Sequence, residues 1–165
     1  MKVLKKQLNS HDCIICGVDN ESGLKAPFYE MEDSTVVSKF IYRDIHQSYP
    51  GRTHGGMITC MLDELIGRVM WVKDPNVYGV TTSIDVKFRR PVAYNVRLKA
   101  RAVMKLDTPR YFVAVGYIYD MQGNLLAEAE GKYLKLAANK IVSGNVSMET
   151  EMAYNIQDDV EEIDF

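Results

Sequence analysis

Residues 53–75 read THGGMITCMLDELIGRVMWVKDP, and this stretch decides the fold. Ile58, Met61, Leu62, Leu65, Val69 and Val72 recur at helical spacing, while Met57, Cys60, Ile66, Met70 and Trp71 fill the rest of the circumference. A helix apolar on nearly every side is a buried one. The spacing predicts a helix over 54–72. Thr53 is its expected N-cap, and Asp74-Pro75 ends it, because proline disfavours a helical residue before it.

A buried helix needs something to wrap it. Downstream, Val80, Ile84, Val86 and Phe88 alternate with polar residues across 80–90. Across 96–106, Val96, Leu98, Ala100, Ala102, Met104 and Leu106 alternate with Arg97, Lys99, Arg101 and Lys105, the pattern of a strand with one face in water. Residues 111–119 are β-rich, and Met121-Gln122-Gly123-Asn124 turns the chain into a last strand, 125–136. Upstream, 35–42 is another strand candidate. The expected architecture is α+β: one antiparallel sheet of about five to six strands curled around the helix, the last four running as a meander.

Composition sets outer limits. The 165 residues suit one domain, and 47% hydrophobic with 25% charged residues is the balance of a globular protein with a real core. A net charge of −2 argues against a polyanion-binding surface, so no nucleic-acid partner is expected. Three cysteines point to free thiols in a reducing compartment, and no secretory signal is visible, so the expected location is cytoplasmic. Asp63, Glu64 and Arg68 interrupt the longest apolar run, so no membrane span is expected. From Ile141 to Phe165 there are seven acids and no Lys or Arg, leaving 1–140 at a formal +5. The chain thus divides into a body, 1–140, with 1–25 as an N-terminal extension, and an acidic tail, 141–165, that is solvated or folds back on basic surface.

Two features bear on chemistry. Gly55 and Gly56 open the helix, where free N–H groups at the positive end of its dipole suit an anion or a carbonyl oxygen gaining charge. Within the helix, Glu64 has Arg68 four residues on as an ion-pair partner. Asp63 has none; it lies on a strip of small residues (Gly55, Gly56, Thr59, Gly67) that leaves room for a ligand and would strip a carboxylate of part of its hydration. Two turns separate Asp63 from Gly55, ~12 Å along the axis. A single pocket reaching both needs an extended substrate or a neighbouring subunit.

These residues carry a resemblance. His54-Gly55-Gly56-x6-Asp63-Glu64, with Tyr49-Pro50-Gly51 before it and Val86-Lys87-Phe88-Arg89-Arg90-Pro91 after it, is similar to the hotdog-fold acyl-CoA thioesterases. The nearest branch is that of 4-hydroxybenzoyl-CoA and phenylacetic-acid-degradation type thioesterases. The similarity spans about residues 12–137 and includes the lead-in Cys13-x-x-Cys16-Gly17…Asn20-x-x-Gly23-Leu24. It implies a hotdog fold, an acyl-CoA substrate, no cofactor beyond the CoA of that substrate, and a homodimer that pairs into a homotetramer with active sites across the subunit interface. It also implies roles. Asp63 would be nucleophile or general base. The Gly55 N–H, helped by His54, would polarise the thioester carbonyl. Gln47 or Ser48 would lie near the thioester or the attacking water, and Thr81 would position water or the carboxylate. Gly56, Ser48, Thr82, Arg89 and Arg90 would contact substrate, the arginines through the CoA phosphates.

The remaining candidates read as structural. Arg97, Lys99, Arg101 and Lys105 suit a solvated sheet face. Cys13 and Cys16, with His11 near, lack the second Cys pair of a structural zinc site, so no metal is expected. Cys60 in the buried helix behaves as a small apolar residue, and His46 is expected on a surface loop. Two other functions fit the residues: a non-catalytic acyl-CoA binding module, and a 3-hydroxyacyl thioester dehydratase or hydratase using His54 with Asp63.

Overall fold

The helix begins one residue later than the spacing predicts. In the computed structural model, which describes residues 1–143, 147–152 and 160–164, α1 spans Gly55–Gly67 and tightens into a 3-10 turn over Arg68–Val72. Its N-cap is His54, not Thr53: the imidazole Nδ1 accepts the Gly56 N–H at 2.9 Å. Thr53 stands one position before the cap, bridged to Gln47 and donating its N–H to the Val92 carbonyl at 2.8 Å.

Seven strands form one sheet, more than the five to six expected. They are β1 (Val3–Lys6), β2 (Tyr29–Met31), β3 (Val36–Ile41), β4 (Val77–Phe88), β5 (Arg97–Asp107), β6 (Tyr111–Asp120) and β7 (Leu125–Ala137). The order is β1-β2-β3-β5-β6-β7-β4, antiparallel throughout. The additional strands, β1 and β2, are four and three residues long, too short to show an alternation. The expected meander holds only for β5 to β7: β4 pairs with β7 at the far edge, not with β5. In consequence β4 lies along α1, the element it follows.

Ile58, Met61, Leu62, Leu65 and Ile66 of α1 are buried against the concave face of the sheet. That face is built from small residues where the helix lies closest: Ala100, Ala102, Ala114, Ala127 and Ala129 are all buried. Gly116 marks the tightest approach, since a Cβ there would stand 2.7 Å from Ile66 Cγ1. A bulky helix therefore needs a thin sheet floor.

Two surface expectations are corrected. His46 is 4% exposed. Its Nδ1 accepts the Arg43 N–H at 3.0 Å and its Nε2 donates to the Ser22 carbonyl at 2.8 Å, fastening the loop before α1 to the N-terminal segment. On the sheet, Lys99 alone of the expected solvated stripe is buried; Arg97 and Lys105 are exposed, and Arg101 and Lys105 pair with Asp33 and Glu130 at the surface. At the other end of the chain, Ile163 is 1% exposed among Tyr29, Met31 and Val37. The Val3 N–H donates to the Glu161 carbonyl at 2.8 Å and the Ile163 N–H to the Met1 carbonyl at 3.0 Å, covering the start of β1. Asp158 and Asp159 of the acidic tail lie outside the described residues.

Candidate active site

Asp63 sits at the middle of α1, facing β4 and β7. Thr81 of β4 donates its hydroxyl to Asp63 Oδ1 at 2.9 Å, and Tyr133 of β7 donates to the same oxygen at 2.9 Å. The Tyr133 hydroxyl also lies 3.1 Å from the Asp63 carbonyl. Register explains the meeting, because Thr81 and Tyr133 are direct partners across the β4–β7 ladder. Burial, then the neighbouring Asp63 charge, raises the Tyr133 phenol, so it stays a neutral donor. Asp63 is half-buried, and no cation pairs with it among the described residues. Both hydroxyls converge on Oδ1, which leaves Oδ2 as the carboxylate's unbonded oxygen.

This carboxylate lines a cavity of about 320 Å³ together with Gly67, Trp71, Tyr78, Thr81 and Tyr133. The ring of Trp71 meets that of Tyr78 edge to face at 5.4 Å, making an aromatic wall. Part of the small-residue strip is filled from the sheet: Phe88 lies over Gly55, and Tyr133 over Gly67.

A second cavity, of about 390 Å³, opens at the N-terminus of α1 between Arg52, Gly55, Phe88, Arg89 and Arg90. The Gly56 N–H is taken by His54, whereas the Gly55 N–H makes no hydrogen bond among the described residues. Arg89 is held by Glu128, and Arg90 has no ion-pair partner among the described residues. Gln47 accepts the Tyr94 hydroxyl at 3.2 Å, and Ser48 closes a tight turn by donating its N–H to the Arg52 carbonyl at 2.8 Å.

The expected residues therefore fall into two groups. Asp63 and Thr81 meet in one cavity; Gly55, Arg89 and Arg90 meet in the other, and His54, Gly56, Gln47 and Ser48 cluster near its end of the helix. Thr82 joins neither, because a bulge between Thr81 and Ser83 turns its hydroxyl to the Lys132 carbonyl at 2.9 Å. Tyr133 is the residue that the sequence reading missed. Its one signal was chemical: a tyrosine on an inward strand position needs a partner for its hydroxyl. Cys60 is half-buried, and burial, then the Asp63 charge, raises its thiol, as suits a packing residue. No helix among the described residues is long and apolar enough to cross a membrane.

No family model and no curated protein sequence matches the chain. Solved structures do. A thioesterase superfamily protein aligns at TM-score 0.69 and 21% identity over 76% of this chain, which spans 60% of that protein's length. A phenylacetic acid degradation-related protein from Ralstonia eutropha aligns at TM-score 0.61 and 20% identity, covering 67% of this chain and 85% of the other. A protein from Streptococcus pneumoniae described as a hypothetical thioesterase, solved with coenzyme A, aligns at TM-score 0.61 and 18% identity, covering 67% of this chain and 87% of the other. The chain has the hotdog fold that these thioesterase-superfamily structures share.

Proposed function

We propose that the protein is a thioesterase that hydrolyses acyl-CoA to free acid and CoA. The observation that carries this reading is Asp63: a carboxylate inside a cavity, unpaired with any described cation and oriented by two hydroxyls through a single oxygen. A thioester needs only a polarised carbonyl and a base or nucleophile, so no metal or redox cofactor enters the reaction. Oδ2 of Asp63 attacks the carbonyl carbon or takes a proton from the water that does. The carbon–sulfur bond then breaks and the CoA thiolate leaves, taking up the proton released from water; where Oδ2 is the nucleophile, that water hydrolyses the acyl anhydride left on Asp63, which frees the acid and restores the carboxylate.

A free N–H is required where the carbonyl oxygen gains charge. Gly55 has one, but it opens on the other cavity. A homodimer resolves the separation, with Gly55 of one copy facing Asp63 of the other. Arg90, with Arg52 and Arg89, gives the Gly55 cavity a cationic rim suited to CoA phosphates. The likeness to a thioesterase solved with coenzyme A supports the same ligand class. The dehydratase reading loses support because the His54 Nδ1 is committed to the helix cap, where it accepts the Gly56 N–H.

The test is a panel of short, medium, long and aromatic acyl-CoAs assayed with a thiol reagent. At least one should release CoA, and Asp63→Asn should lower kcat at least a hundredfold while acyl-CoA still binds. No thiol release from any member, or turnover undiminished in the variant, defeats the proposal.

A further inference from the structure

On the wall of the same cavity that Asp63 lines, the N-terminal loop folds into a knuckle to which the thioester reaction proposed above gives no role. Cys13, Ile14, Ile15 and Cys16 form a tight turn closed by the Gly17 N–H on the Cys13 carbonyl at 2.8 Å. Only glycine fits after the pair, since a Cβ on Gly17 would stand 2.4 Å from the Cys13 carbonyl oxygen. The turn aims two backbone donors at one sulfur: the N–H groups of Ile15 and Cys16 reach Cys13 Sγ at 3.3 and 3.5 Å. N–H groups directed at a sulfur stabilise it as a thiolate.

The helix supplies a third ligand. Glu64, 51 residues from Cys13 in sequence, brings Oε2 to 3.8 Å from Cys13 Sγ. Both sulfurs and a Glu64 oxygen lie within 4.8 Å of one another. A tetrahedral ion with metal–sulfur bonds of about 2.3 Å and metal–oxygen bonds of about 2.1 Å separates S from O by about 3.6 Å and S from S by about 3.8 Å. The ligand atoms are therefore close to the required spacing.

Arg68 completes the electrostatics. Its Nε holds Glu64 Oε1 at 2.8 Å, which leaves Oε2 for the cluster. The guanidinium is 2% exposed and lies over the rings of Phe28 and Trp71, and its Nη2 makes no hydrogen bond among the described residues. A buried cation with a spare donor calls for further negative charge nearby. Two thiolates and a carboxylate, with one dication and Arg68, make a neutral group.

We infer that Cys13, Cys16 and Glu64 bind a zinc-class divalent cation that clasps the N-terminal loop to α1. Two thiolates and one carboxylate select a borderline-soft ion over magnesium or calcium. The fourth position would open on the cavity that these residues share with Asp63, where water can serve as the fourth ligand. The expectation of no metal from the sequence rested on the missing second cysteine pair. Glu64 supplies the third ligand instead, brought there by the fold.

The full-length protein, equilibrated with Zn²⁺ and freed of excess, should hold one zinc per chain. With Co²⁺ in its place it should show thiolate-to-cobalt charge-transfer absorption. Cys13→Ser and Cys16→Ser should lose both signals. Glu64→Gln should release zinc to a competing chelator at least tenfold more readily. Circular dichroism identifies any variant that fails to fold, and the wild-type measurement decides without them. Wild-type protein holding no zinc, zinc binding without the charge-transfer band, or recovery of the pair as a disulfide would each overturn the assignment. None of these results touches the thioesterase reading, which Asp63→Asn tests separately.

Discussion

Oδ1 of Asp63 receives two hydroxyls, and that asymmetry has kinetic consequences. A hydrogen bond to a charged group contributes about 1.5–3 kcal/mol, and each 1.4 kcal/mol is about tenfold in rate when it is realised in the transition state. Tyr133→Phe keeps the stacked contact with Phe112, whose ring centroid lies 5.0 Å away, and removes only the donor. We expect kcat to fall by about 10–100-fold with KM little changed, and Thr81→Val to act in the same direction. Steady-state kinetics on the best acyl-CoA checks both; a rise in KM alone would place the hydroxyls in substrate binding instead. Asp63 itself was legible in the sequence because it is the helix acid without a partner at helical spacing. Tyr133 was not, because its meeting with Asp63 depends on the register of β7 against β4 and the distance of both from α1. Neither leaves a trace in local periodicity.

Long elements were legible and short ones were not, for a common physical reason. β5 and β7 are long enough for their alternating side chains to show which face meets the helix, whereas β1 and β2 are recruited by neighbours rather than by their own pattern. The place of β4 was equally hidden. Local sequence shows that a strand follows the helix, not that it crosses to the edge beside β7. Asp107 shows how that sheet is tied at one end. Lys135 of β7, then Lys73 after the helix, hold the Asp107 carboxyl below its ordinary value of 3.8. A carboxyl depressed in the folded state stabilises fully above its unfolded pKa, and that contribution disappears as pH falls through the folded value. Acid unfolding of the wild type should therefore steepen below about pH 4. Asp107→Asn should be less stable at neutral pH and lose part of that acid dependence. Denaturant titrations at stepped pH measure this, and parallel stability curves for the two proteins would refute it.

The two edges of the whole sheet are treated differently. The start of β1 is covered by residues 161–163, which pair with residues 1–3. β4 is the opposite edge, twelve residues long, with nothing paired along its outer side among the described residues. It also exposes Val80 at 37% and Phe88 at 54%. A long, apolar, unpaired edge is a template for another strand. The same edge carries Thr81 beside Asp63 and Phe88 beside Gly55. Antiparallel pairing of two β4 strands would bring each copy's Asp63 region toward the other's Gly55 end, the juxtaposition that the proposed reaction needs. Sedimentation should therefore show a dimer. Val80→Lys with Phe88→Lys, placing charges on the edge, should shift it toward monomer with the circular dichroism spectrum kept. Thioester turnover should fall with dimer population, and raising protein concentration should restore both together. A wild type that sediments as a monomer while hydrolysing acyl-CoA at full rate would show that one copy makes the whole site, and the separation of Asp63 from Gly55 would then have to be spanned by the substrate.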